Sequence, residues 1–391
     1  MTIVVQKYGG SSVADVEKLE RVAEKIVETK RSGLDVVVVV SAMGKTTDQL
    51  LALAHQIDAS PPRRELDMLL TTGERVSMAL LSMAIIKRGC DAISFTGSQS
   101  GIITNDRHFD ARIIEVRPFR IEDELARGKV VIVAGYQGMS YRREITTLGR
   151  GGSDTTAIAL AAALGADRAE IYSDVDGVYT ADPRVVPDAQ HLPELGYEAM
   201  QEMAEAGAKV LNSTAVELAR RARIAIHARS TFAPGRETIV HDGAATEGCA
   251  VVGRADLAEL RAPGGAAALA RILAEAEAHA LSVRETSVEG DRVRALVSKS
   301  GPDFLRAKGA LAAALPGLEI EEGLGCVSVV APDLGNRPGV VRQALDALGA
   351  AAIEARSVTT SPLRLGMVVR ADRVDDAVRA VHAVMRSGGP R

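Results

Sequence analysis

Apolar runs of strand length alternate with segments of helix length through about residue 230. Residues 2–6 open the series, and 36–40 is an unbroken valine run, the mark of a strand buried on both faces. Strands are also predicted at 92–95, 130–134, 170–172 and 224–228, with helices at 16–31, 67–88, 155–164 and 199–222. This alternation predicts an α/β fold, a three-layer αβα sandwich around a mostly parallel sheet. Ligands of such sheets sit at the carboxyl ends of the strands.

Beyond Pro234-Gly235 the chain turns rich in alanine and arginine, with shorter elements. Pro263-Gly264 opens an alanine-rich helix followed by strands at 281–288 and 292–297. About 75 residues later Pro338-Gly339 opens a second helix, followed by strands at 352–358 and 365–369 and a helix at 375–385. Two copies of a small α+β unit are therefore expected, each proline standing near the first position of its helix. The predicted division is a domain at 1–240 and a tandem region at 250–391. Its first unit covers about 260–320, and its second about 250–260 plus 321–391.

Composition narrows the function. With 391 residues, 47% of them hydrophobic, the chain can bury more than one core. A net charge of −4, no tryptophan and no long basic run exclude nucleic acid as the main partner. Three scattered cysteines (Cys90, Cys249, Cys326) fit neither a disulfide framework nor a zinc site. No signal-like segment precedes the first strand and no apolar run is expected to span a bilayer, so a cytoplasmic location is expected.

The chemistry gathers in glycine-rich turns at strand ends. Lys7-Tyr8-Gly9-Gly10-Ser11-Ser12 follows the first strand, and Gly149-Arg150-Gly151-Gly152-Ser153-Asp154 precedes an alanine-rich helix. Glycines leave backbone N–H groups open to an anion, Lys7 suits a phosphate, and Arg150 offers a planar fork for a carboxylate or phosphate. Ser41-Ala42-Met43-Gly44-Lys45-Thr46-Thr47-Asp48 follows the valine strand but lacks the first glycine of a P-loop. It reads as a substrate-contacting turn or as a helix capped by Thr47 or Asp48. Glu74 lies in a helical stretch and reads by pattern as a surface position, though its flanks are small. Ser173-Asp174 through Tyr179 to Arg184 is an Asx-rich turn or a nucleotide loop, and Lys209 is a second candidate cation. A dinucleotide fingerprint is absent, since position 154 is aspartate.

Together these motifs resemble those of the aspartate kinases of the amino-acid kinase superfamily, in the same order from residue 1 to about 230. They are Lys7-Tyr8-Gly9-Gly10-Ser11-Ser12-Val13, Val39-Val40-Ser41-Ala42-Met43-Gly44, Thr72-Gly73-Glu74-Arg75, Thr147-Leu148-Gly149-Arg150-Gly151-Gly152-Ser153-Asp154 and Ser173-Asp174-Val175-Asp176-Gly177-Val178-Tyr179-Thr180. The tail is similar, more loosely, to the family's tandem ACT domains. The resemblance implies phosphorylation of the β-carboxylate of L-aspartate by ATP with Mg²⁺, the first step toward lysine, threonine and methionine. It implies that Lys7, Arg150, Asp154 and Lys209 are catalytic. Ser41, Thr47, Glu74, Arg150 and Ser153 would bind aspartate, with Glu74 on its ammonium. Lys7, Gly9, Gly10, Ser173, Asp174, Tyr179, Arg184 and Lys209 would bind ATP. No protein metal ligand is assigned, lysine or threonine is the expected effector, and a homodimer or larger oligomer is expected through the ACT domains.

The chain departs from the pattern in four places. Asn212-Ser213-Thr214 stands where the family shows a basic residue. Glu285-Thr286 replaces a Gln-Asn pair, and Val358-Thr359-Thr360-Ser361 replaces Ser-Thr-Ser-Glu. Residues 250–261 read as a shortened version of two strands. Two other readings compete: a sister kinase acting on glutamate, N-acetylglutamate, carbamate or a nucleoside monophosphate, and a non-catalytic amino-acid sensor.

Overall fold

The computed structural model describes residues 2–233, 235–243, 249–299 and 304–387. The chain forms two compact units. The first comprises Met1–Val178, His191–Ala204 and Lys209–Thr246; the second comprises Tyr179–Gln190, Glu205–Ala208 and Glu247–Arg391. Residues 179–190 and 205–208, expected in the first domain, thus pack with the second.

The first unit is built on an eight-stranded sheet. From one edge its strands are Glu194–Gly196, Glu237–His241, Ile226–Ser230, Arg168–Ser173, Ile3–Tyr8, Asp35–Val40, Val130–Ala134 and Ala92–Phe95. The last six are parallel, and Glu237–His241 runs antiparallel to Ile226–Ser230. The valine run is fully buried. Val36, Val38 and Val40 join Val4, Val22, Ile26, Leu81 and Ile85 in one core, under helices Val16–Arg31 and Thr72–Lys87. Val37 and Val39 alternate onto the opposite face, where helix Gly152–Leu164 crosses the central strands. That helix is buried nearly all round, and its alanines allow the close approach.

Several elements differ from expectation. Residues 199–222 form two helices, Tyr197–Ala206 and Ser213–Ala222, because Gly207 takes a left-handed φ of 123° and Asn212 caps the second helix. Residues 67–88 likewise divide into Arg63–Leu70 and Thr72–Lys87, meeting at Thr71. Arg63–Lys87 is long and apolar enough by composition to cross a bilayer, but much of it is buried inside the protein, as a core helix is. A second, four-stranded sheet was not foreseen: Ile113–Val116, Ile102–Thr104, Gln137–Ser140 and Ile145–Thr147.

The second unit holds a six-stranded antiparallel sheet: Val283–Glu289, Arg292–Ser298, Ala250–Pro263, Glu319–Val330, Arg364–Arg370 and Ser357–Thr360. Residues 250–263 make one continuous strand with register shifts between Arg254 and Ala258, not two short ones. Pro263 ends that strand, and Gly264 precedes helix Gly265–Ala278; Pro338 does open helix Pro338–Ala350. One core gathers Leu260, Ile272, Val293, Val297 and Leu311, and another Val329, Leu348, Met367, Val378 and Val381. Ala181 and Val186 of the inserted segment belong to the latter.

Candidate active site

The central strands end in one rank, with Tyr8 opposite Val40 and Tyr172, and Val40 opposite Ala134. The chain leaves Ile3–Tyr8 toward one edge of the sheet and later returns on its other side as Arg168–Ser173. A crevice is expected at such a switch point. Lys7 stands there, its Nζ 2.6 Å from Asp154 Oδ1 in the first turn of helix Gly152–Leu164. Both side chains are largely buried, and the contact is a charge pair without hydrogen-bond geometry at Oδ1.

The turn after Tyr8 packs backbone to backbone on the turn after Val40. The Gly10 carbonyl accepts from Gly44 N–H at 3.0 Å, and a Cβ on Gly10 would stand 2.9 Å from the Ala42 carbonyl oxygen. Gly9 donates its N–H to Tyr172 O at 3.2 Å, so that donor extends the sheet and is already engaged. Ser41 is half-buried and donates its N–H to Tyr8 O. Thr47 lies one residue inside helix Thr46–Ile57, and neither it nor Asp48 caps that helix.

Glu74 is buried, contrary to its surface-like pattern. A Cβ on Gly73 would stand 2.8 Å from Ala42 Cβ, which shows how closely the helix approaches this turn. Oε1 accepts the Ala42 N–H at 3.2 Å, and Oε2 is buried without a hydrogen-bond partner. Burial pushes this carboxyl up to about 7, against the pull of its backbone hydrogen bonds.

Arg150 is exposed on a turn with two left-handed glycines, Gly149 (φ 71°) and Gly151 (φ 75°). Its carbonyl accepts from Asn212 Nδ2 at 3.2 Å, while Asn212 Oδ1 accepts the N–H groups of Thr214 and Ala215. The departure at Asn212 is therefore a helix cap that also braces the Arg150 turn. Ser153 is buried beside Gly135, where a Cβ would come 2.7 Å from Ser153 Oγ.

The other candidates lie apart. Ser173 ends its strand, its Oγ accepting Val175 N–H, and Asp174 is exposed beside it. Lys209 is exposed in the break between the two helices, and no contact among the described residues ties it to Lys7 or Asp154. Tyr179 and Arg184 lie in the segment that packs with the second unit, where Arg184 makes a two-pronged pair with Asp182. The sequence reading missed Asp67, His108 and Tyr136. Tyr136 sits in a left-handed conformation (φ 68°), its phenol pushed up to about 12 by burial. No local pattern marks these three: Asp67 is buried and His108 and Tyr136 are half-buried through contacts made only in the folded chain.

Residues 2–230 match the model of the amino acid kinase family. An aspartokinase of Mycolicibacterium smegmatis is 46% identical over 415 residues, spanning 100% of this chain and 97% of the relative. The chain belongs to the amino acid kinase family, among its aspartokinases. The aspartokinase of Corynebacterium glutamicum is 44% identical over 414 residues, with the same coverage. Among solved structures, E. coli aspartokinase III in complex with aspartate and ADP (R-state) matches with a TM-score of 0.84 at 26% identity, covering 98% of this chain and 99% of that one. The same enzyme with lysine and aspartate (T-state) matches with a TM-score of 0.73. The α/β fold and the aspartokinase resemblance read from the motifs are both supported.

Proposed function

We infer that this chain transfers the γ-phosphoryl group of ATP to the β-carboxylate of L-aspartate, giving 4-phospho-L-aspartate and ADP. The observation that carries the substrate side is Glu74: a buried carboxylate with an unpartnered oxygen beside the strand ends calls for a cationic ligand group, as an α-ammonium supplies. The acceptor carboxylate is ionised at neutral pH, so no general base is needed. The difficulty is bringing two anions together, and catalysis is positioning plus charge neutralisation. Arg150 grips an aspartate carboxylate, with Ser41, Thr47 and Ser153 as hydroxyl donors. Lys7 and Lys209 neutralise the phosphates, Gly10 and the 149–153 turn lend N–H groups, and Ser173, Asp174, Tyr179 and Arg184 hold the nucleotide. Asp154 orients Lys7, which it pairs with in the free chain.

Among the described residues no cluster of three metal-ligating side chains occurs. Mg²⁺ favours phosphate oxygens, water and one or two carboxylates; Asp154, whose Oδ1 is buried without a hydrogen-bond partner, would be the carboxylate to hold it. When bound, Mg²⁺ supplies neutralisation of phosphate charge.

We also propose that the second unit takes lysine or threonine as effector, and that a second copy of the chain adds at its edge strands, Val283–Glu289 and Ser357–Thr360. Two of the departures from the family pattern meet there, Thr359 Oγ1 donating to Glu285 Oε1 at 2.9 Å.

Trapping of acyl phosphate by hydroxylamine tests the reading. With MgATP, hydroxamate should form with L-aspartate and not with L-glutamate, and titrated lysine or threonine should lower the yield. Lys7→Ala and Arg150→Ala should each lose activity by about 100-fold or more with the fold retained. Aspartate-independent turnover, or none with ATP still bound, would move the assignment to a sister substrate or a sensor.

A further inference from the structure

Asp67, on helix Arg63–Leu70, is completely buried and lies outside the cluster described above. Its Oδ1 accepts from Thr147 Oγ1 at 2.6 Å and from Phe109 N–H at 3.1 Å. Its Oδ2 meets His108 Nδ1 at 2.7 Å and shares the Phe109 N–H at 3.2 Å. These partners come from two other segments. Thr147 ends strand Ile145–Thr147, three residues before Arg150. His108 and Phe109 sit in the loop after strand Ile102–Thr104, and Phe109 takes a φ of 72°. A bulky side chain holds that left-handed conformation only where its surroundings impose it.

The loop is tied to the Arg150 approach at two further points. Ala111 donates its N–H to Thr147 O at 2.8 Å. Asp110 Oδ1 lies 2.9 Å from where a Cβ on Gly149 would stand. Helix, loop and strand therefore close a hydrogen-bonded ring around one carboxylate. In the same turn, Asn212 Nδ2 donates to the Arg150 carbonyl. Bonds to a buried carboxylate are short and stiff, so the ring fixes the strand end more firmly than neutral turn contacts would.

We propose that Asp67 is a positioning residue for substrate recognition: through Thr147 and the loop carrying His108 and Phe109, it sets where the Arg150 guanidinium meets the aspartate carboxylate. The proposal rests on the reading of Arg150 given above. It places the demand on geometry, where a shift of about 1 Å is worth up to ~100-fold, and leaves the nucleotide side untouched.

The test is steady-state kinetics on the full chain carrying Asp67→Asn, Thr147→Val, both together, and Arg150→Lys, with thermal melts alongside. Asp67→Asn and Thr147→Val should each raise KM for aspartate by about tenfold or more, with KM for ATP and kcat held within about twofold. The double variant should be no worse than the worse single one, because both cut the same ring. A lowered melting temperature with KM for aspartate unchanged, or KM for both substrates rising together, would overturn the proposal and leave Asp67 a structural residue. Should Asp67→Asn fail to fold, Thr147→Val, which removes one hydroxyl at constant shape, carries the same readout. An unchanged KM for aspartate in Arg150→Lys would sink the Arg150 reading itself. A raised KM there, with none in the Asp67 and Thr147 variants, would sink only this proposal.

Discussion

Glu74 works against the stability of its own fold. With its carboxyl pushed up to about 7 by burial, the native state keeps a proton that the unfolded chain releases near its ordinary value of about 4.3. The native state binds more protons across that window, so this group's contribution to stability falls as pH rises through it, by as much as about 4 kcal/mol in all. Glu74→Gln should remove that fall. Its melting temperature relative to the parent should be higher at pH 8 than at pH 5, while KM for aspartate rises steeply; melts and kinetics at both pH values check this. In the parent, KM for aspartate should climb about tenfold per pH unit below about 7, since a proton then competes with the ammonium. A flat KM profile between pH 8 and 6 would place the ammonium elsewhere. The family resemblance put Glu74 on the ammonium, but its burial was not legible beforehand. A carboxylate in Thr71-Thr72-Gly73-Glu74-Arg75 reads as solvated, whereas in the fold its helix packs closely on the Ala42 turn, far away in sequence.

At the scale of elements, the Arg150 turn depends on neighbours that its own sequence does not announce. Asn212 serves it twice, as the cap of helix Ser213–Ala222 and as donor to the Arg150 carbonyl. Asn212→Ala should destabilise the protein by about 1 kcal/mol, as cap removals do, and should also raise KM for aspartate. A loss of stability alone would reduce Asn212 to a cap. Gly151→Ala should do more harm, because its φ of 75° strains an alanine and a Cβ there would stand 2.2 Å from Asn212 Nδ2. The long parallel strands and their helices were readable because buried valine runs and helix-length spacers leave few other arrangements. The strands of the side sheet were not. They are three or four residues long, and Gln137–Ser140 carries no apolar alternation. The break at 207–212 was hidden because one glycine in a helical pattern does not end a helix unless its backbone turns left-handed.

For the whole molecule, the division into units does not follow the order of the chain. Residues 179–190, which follow strand Arg168–Ser173 of the first sheet, belong to the second unit and place Ala181 and Val186 in its core. Thr180 is held there by His382 and by Val251, whose N–H it accepts at 2.7 Å. Residues 205–208 follow, with Arg254 Nη1 donating to Glu205 O at 3.0 Å. A chain ending near residue 243 should therefore expose those apolar side chains and aggregate or lose nucleotide binding. Light scattering and binding of a fluorescent ATP analogue would show it, and a soluble, nucleotide-binding fragment would contradict it.

The same interleaving bears on how such an enzyme can be rebuilt. Regulatory parts that hang from one junction can be exchanged by a single splice, whether by recombination in a genome or by a designer. Here the backbone passes between the two units at 178/179, 190/191, 204/205, 208/209 and 246/247. A foreign regulatory half joined at the last of these would meet a dodecapeptide and a tetrapeptide shaped for a different core. A working chimera would have to carry all three pieces across together, so the two halves are bound to diverge as a pair.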